Sequence, residues 1–203
     1  MVEVLELKPS KKDLVAYMFK KRKDDFPGDM GALRKFLSEK KIKYVTFDFD
    51  FDMREFSKTK FAEVLEEMGI SYHQVDIPEY AMGYLYEEIM EKEELFKELV
   101  EEYQQMNDKE SYKGLSLKNW IDMLRQEIEE KEIMLSLKIR PQWIVKKMLD
   151  ISRTFREEEM AFMHFVQEDI CEDICSEVAK LLRDLNVRVV SYTKKHNVKQ
   201  IIF

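Results

Sequence analysis

The stretch "YVTFDFDFDM", residues 44–53, alternates aromatic or aliphatic side chains with polar and acidic ones over ten positions. Successive side chains of a strand point to opposite faces. Val45, Phe47, Phe49, Phe51 and Met53 therefore share one face, and Tyr44, Thr46, Asp48, Asp50 and Asp52 the other. The first set reads as core. The second poses a problem of charge, because same-face carboxylates inside a covered sheet need partners. They are hydrated, paired with a basic side chain from a neighbouring helix, or held together by a divalent cation.

Working outward, the flanking sequence sets the class of fold. "VEVLEL" at 2–7 alternates as a half-buried strand does, and Pro9-Ser10 closes it, with Ser10 placed as the N-cap of a helix carrying Leu14, Val15, Met18 and Phe19. "FPGDMG" at 26–31 is a turn, followed by a short helix with Leu33, Phe36 and Leu37. After the acidic strand, Phe61, Val64, Leu65 and Met68 form a helical stripe that Gly69 ends, and "SYHQVDI" at 71–77 is the next strand. This rhythm predicts an α/β fold with a small, mostly parallel sheet and crossover helices.

From Pro78 the pattern changes. Leu85, Ile89, Phe96, Val100 and Tyr103 lie on one stripe of a long amphipathic helix; Leu117, Ile121, Leu124, Ile128 and Leu135 lie on that of a second, with Lys131 at a seam position. The pair predicts a long antiparallel helical hairpin over about 79–140, inserted into a single α/β domain spanning 1–203. Pro141 opens a further helix with Ile144, Val145, Met148 and Leu149. "MAFMHFV" at 160–166 fits either a buried strand or, through Met160, Met163, Ile170, Ile174, Val178 and Leu181, a helix continuing across it; its aromatic content favours the strand, with "QEDICEDICSEVAKLLRDLN" then its crossover helix. "VRVVSYT" at 187–193 is another strand, and "VKQIIF" at 198–203 an edge segment.

Composition narrows the functions. The chain has 203 residues, 45% hydrophobic and 37% charged, which suits a folded domain with much solvated helix surface. Its five glycines do not cluster, which argues against the glycine-rich phosphate loops. The net charge of −7 argues against a nucleic-acid-binding protein, although Lys8, Lys11, Lys12, Lys20, Lys21, Arg22 and Lys23 gather near one end and Arg188, Lys194, Lys195 and Lys199 near the other. No apolar run suits a membrane span or a signal segment, so a cytoplasmic protein is expected. Cys171 and Cys175 read as reduced thiols on one helical face.

Sites in open α/β sheets form outside the carboxyl ends of the strands. Asp50 and Asp52 lie at such an end, Asp76 at the next, and Glu79 in the first turn of the helix that follows. If the two strands are neighbours, Asp50, Asp52 and Asp76 are candidate ligands for magnesium or manganese, with Glu79 as a candidate base, and a divalent-metal-dependent phosphoester hydrolase is one expectation. His164, between Met163 and Phe165, reads as a hydrogen-bonded core histidine. The leading expectation is different: a helical arm that mediates self-association or docking to another protein, with Tyr80, Tyr84, Trp120 and Trp143 as anchors.

Overall fold

The computed structural model describes residues 6–21, 29–49, 52–167 and 172–192. Five parallel strands, β1 (Asp13–Lys21), β2 (Ile42–Phe47), β3 (Ser71–Gln74), β4 (Glu159–Gln167) and β5 (Val187–Tyr192), lie in the order β3-β2-β4-β1-β5. Helices α1 (Met30–Glu39), α2 (Met53–Phe56) and α3 (Lys60–Glu67) connect the first three strands. The longest connection, from β3 to β4, contains α4 (Glu79–Gln105), α5 (Tyr112–Met134), a π-helical turn (Leu135–Ile139) and α6 (Arg140–Thr154). Helix α7 (Glu172–Asp184) joins β4 to β5.

The strand order explains where the helices go. β1, β2 and β3 step toward one edge of the sheet and β4 and β5 step back, so crossovers of one hand place the two sets of helices on opposite faces. On one face Val15, Tyr17, Phe19, Val45, Phe47, Phe49, Met163 and Phe165 pack with Leu33, Phe36 and Leu37 of α1 and Phe61, Val64 and Leu65 of α3. On the other, the Tyr44 hydroxyl donates to the carbonyl of Met148 on α6 at 2.9 Å, and its ring stacks on Phe162. The expected core face of the acidic strand is present at Val45, Phe47 and Phe49, with Phe47 stacked on Phe165 and edge-on to Phe49, Phe56 and Phe61. Met53, expected on that face, is instead exposed on α2 because the strand ends at Phe47, and Phe51 lies outside the described residues.

Three expectations need correction. Leu14 to Phe19 form not a helix but β1, and all six are buried, because a strand between β4 and β5 is covered on both faces. The i, i+4 spacing in "LVAYMF" is accidental; an amphipathic helix there would have shown a polar side. Ser10 caps no helix, and its hydroxyl instead accepts from the Lys12 amide at 3.1 Å just ahead of β1. Pro141 does not open a separate helix either. Helix continues through the widened π turn into α6, and that turn lies just before a ring lacking the amide the carbonyl four residues back would receive. The strand proposed at 2–7 lies outside the described residues except for Glu6 and Leu7, which belong to no strand, and "VKQIIF" lies outside them altogether.

Local chemistry fixes the remaining boundaries. Asp29 accepts from the amides of Gly31 and Ala32 and starts α1. Gly69, at φ 67°, ends α3, with the Ile70 amide returning to the Leu65 carbonyl at 2.8 Å. A register shift between Ile42 and Tyr44 on β2 turns Ile42 onto the same face as Val45.

The chain divides into two compact units, one made of residues 1–76 with 140–203 and the other of Ile77–Ile139. The second is an antiparallel hairpin whose core joins Ile89 and Leu99 of α4 to Leu117, Ile121, Leu124 and Ile128 of α5. Lys131, expected at the seam, pairs with Glu88 and holds that carboxyl below its ordinary range; Lys92 pairs with Glu127 and Lys113 with Glu102. These cross-links fix the register. At the tip, Ser111 caps α5 by accepting from the Gly114 amide, and a Cβ on Gly114 would sit 2.4 Å from the Lys109 carbonyl oxygen. Gly114→Ala is expected to destabilise the helical signal by about 1–3 kcal/mol, the usual cost of forcing an atom into packed space. Urea unfolding followed by circular dichroism measures it; an unchanged midpoint would show that the turn relaxes freely.

Candidate functional site

β2 and β3 are neighbours, so the rim at their carboxyl ends exists as the sequence suggested, but its residues are put to several uses. β2 ends at Phe47, and the chain then turns toward α2. Asp52 is exposed and serves as the N-cap of α2, its carboxylate accepting from the Arg54 amide at 2.8 Å. Asp50 and Phe51 lie outside the described residues. Glu79 is exposed in the first turn of α4, within the hairpin unit.

Asp76 has a cationic partner. Arg140 donates from Nε to Oδ1 at 2.9 Å and from its terminal nitrogen to Oδ2 at 2.6 Å, and that same nitrogen reaches the Asp48 carbonyl at 3.2 Å. The two side chains are only 14% and 24% exposed, so the forked pair is shielded from water. Asp76 is the last residue before the hairpin excursion and Arg140 the first after it. A guanidinium thus supplies charge at the rim where a divalent cation was considered. Among the described residues, no three His, Cys, Asp or Glu side chains gather as a metal ion requires.

Behind this pair lies a buried polar row. Thr46 of β2 stands in register with His164 of β4 on one side and His73 of β3 on the other. Thr46 Oγ1 lies 3.0 Å from His164 Nδ1, and His164 Nε2 lies 3.8 Å from Asp48 Oδ2, with His164 fully buried and Asp48 2% exposed. Nε2 has no hydrogen-bond partner among the described residues. Burial drives the His164 pKa down to about 3, so the ring is neutral near pH 7. An ionised carboxylate at 3.8 Å would act in the opposite sense. His164 is therefore the hydrogen-bonded core histidine read from the sequence, but with an acid beside it that strand pairing, and not sequence proximity, supplies. His73, half-buried, lies 3.0 Å from the Ser71 hydroxyl through Nε2, and burial lowers its pKa also. Chemically, the row offers a neutral imidazole held at one nitrogen and facing a buried carboxyl with the other.

Arg140 and the Asp48–His164 approach escaped the sequence reading. The first had a legible signal: any inserted hairpin brings its two roots together, and an Asp at one root with an Arg at the other is a pair in waiting. The second depended on strand order.

The hairpin carries the second candidate surface. Tyr112, Leu115, Trp120, Met123, Ile133 and Met134 of α5 are all exposed, Trp120 by 53% and Met123 by 61%. At 100° per residue they fall within an arc of roughly 140°, opposite Leu117, Ile121, Leu124 and Ile128. Ser116, Asn119 and Gln126 share that outer face, leaving it uncharged from Tyr112 to Gln126. Tyr80 and Tyr84 are exposed on α4, whereas Trp143 is half-buried on α6 with Lys147 over its ring.

Two measurements test these assignments. Arg140→Met removes three hydrogen bonds from a shielded site and is expected to cost about 2–4 kcal/mol, with Asp76→Asn/Arg140→Met costing less than the sum of the two single changes. Additive costs in urea unfolding would mean the pair is uncoupled. For His164, the folded pKa lies below the unfolded value of about 6.5, so the unfolded chain takes up the proton first. Its stability contribution is complete above about pH 6.5 and is lost as pH falls toward 3, at up to about 1.4 kcal/mol per pH unit. His164→Gln should flatten the stability profile between pH 6.5 and 4 by about one proton, and an unchanged slope would show that the imidazole titrates normally.

A scan of protein-family models, a search of curated proteins and a search of solved structures found no match to this chain.

Proposed function

We propose that the protein is an association module whose hairpin presents the outer face of α5 to a second protein chain. The observation that carries this reading is the exposed, uncharged Tyr112-Leu115-Trp120-Met123 surface, on the side of α5 opposite its packing seam. Isolated exposed apolar residues are ordinary, but a contiguous aromatic and methionine face on one helix is the composition of interface cores.

Charge segregation favours a second copy as the occupant. Helix α4 carries nine Glu against two Lys, a balance of −7, while α5 carries five acidic and four basic residues, a balance of −1. On α4, Glu87, Glu91, Glu94, Glu98 and Glu101 are exposed and make no ion pair among the described residues. Two hairpins meeting through α5 would keep these ridges outermost, where water and salt screen them. They would form a four-helix arrangement from two helical pairs. Ser116, Asn119 and Gln126 would supply adaptable hydrogen bonds among the apolar anchors.

Light scattering over a wide concentration range is expected to give twice the 24.5 kDa chain mass at the upper end. Trp120→Glu/Met123→Glu should return the protein to a folded monomer whose thermal unfolding matches that of the wild type at dilutions where the dimer has dissociated, because neither side chain is in the hairpin core. A wild-type mass of one chain at every concentration would reject the second copy as occupant.

A further inference from the structure

Independently of the hairpin, we infer that the α/β unit binds a small oligophosphate in a cleft between residues 8–12 and the last turns of α6. The cleft, of about 380 Å³, is walled by Lys8, Lys11, Lys12 and Arg153 above Leu149 and Ser152. An adjoining cleft of about 360 Å³ shares Lys8, Leu149 and Arg153 and adds Lys146, with Glu6 as its one carboxylate. Five cations line the two clefts against Glu6, with Asp150 paired to Lys146 and Arg153, which leaves a local excess of positive charge in a chain whose net charge is −7.

The walls are built rather than incidental. The Ser10 amide donates to the Leu185 carbonyl at 2.9 Å and its hydroxyl closes a turn on Lys12, which anchors the segment bearing Lys8 and Lys11. Lys12 is spent on structure: its ammonium donates to the carbonyls of Ser152 and Phe155 at 3.0 and 2.5 Å, neutralising the negative end of α6 where an anion would otherwise be repelled. On α6, Asp150 accepts from Lys146 at 2.8 Å and from Arg153 at 2.5 Å, holding the two cations side by side. Lys8 and Lys11 remain exposed: among the described residues Lys8 pairs with Glu6 alone, at 3.9 Å, and Lys11 makes no ion pair.

This arrangement matches the chemistry of phosphate recognition, with lysines as mobile point charges and an arginine as a planar fork. The volume lies in the range of small-molecule sites. Several cations spread over two joined clefts fit two or more linked phosphates better than one. The ligand is therefore a free oligophosphate or the phosphate chain of a nucleotide.

Calorimetric titration of the full chain with pyrophosphate and with ATP, without metal and at ionic strength matched with sodium chloride, tests the site. Saturable pyrophosphate binding is expected, weakened at least fivefold in Lys8→Ala/Lys11→Ala, whose melting without ligand should be unchanged because both side chains are exposed. Tighter ATP binding would identify a nucleotide, with the base or sugar resting on Leu149, and equal affinities a free oligophosphate. No saturable heat with pyrophosphate, or a loss smaller than fivefold in the double variant, would overturn the proposal.

Discussion

The Asp76–Arg140 pair closes the largest loop in the protein. It ties the residue at which the chain leaves the α/β unit to the residue at which it returns. Charge-assisted, forked hydrogen bonds suit this position because they fix orientation as well as distance. The third bond, to the Asp48 carbonyl, extends the tie to β2. One guanidinium thereby joins the ends of two strands to the first turn of α6. Tyr44 secures the same helix two turns further on.

The acidic strand shows how one repeated residue type can serve different purposes. Asp52 is a helix cap, Asp76 an ion-pair partner, and Asp48 a buried neighbour of an imidazole. The uses of Asp48 and Asp76 are decided by what lies across from them in space, whereas Asp52 serves the helix beginning at the next residue. A buried polar row of this kind is costly to assemble and punishes alternative strand pairings, since a shifted register would leave Thr46 and His164 without each other.

Much of the fold was legible in the residues, and the failures have physical causes. The hairpin could be read because both helices are amphipathic over many turns, and each stripe from Leu85 to Leu135 is present in its core. "MAFMHFV" could be read as a strand from its aromatic density. "LVAYMF" could not, because a strand buried on both faces loses the alternation that identifies strands, and its spacing then fits a helix equally well. The same burial hid the candidate site. Thr46 and His164 are more than a hundred positions apart, and only the placement of β4 between β2 and β1 brings them together. The exposure of Tyr80, Tyr84 and Trp120 was legible from their places off the packing stripe, whereas the half-covered position of Trp143 on α6 was not.

The strand order has a consequence for how the chain reaches this state. β4 lies between β1 and β2, yet it is synthesised some hundred residues after β2, so the two earlier strands have no partner on their facing edges until it arrives. The hairpin, whose contacts are local, can form in the meantime at the rates typical of helical pairs, while the sheet must wait for a long-range closure. During that interval the apolar edges of β1 and β2 are open to wrong partners.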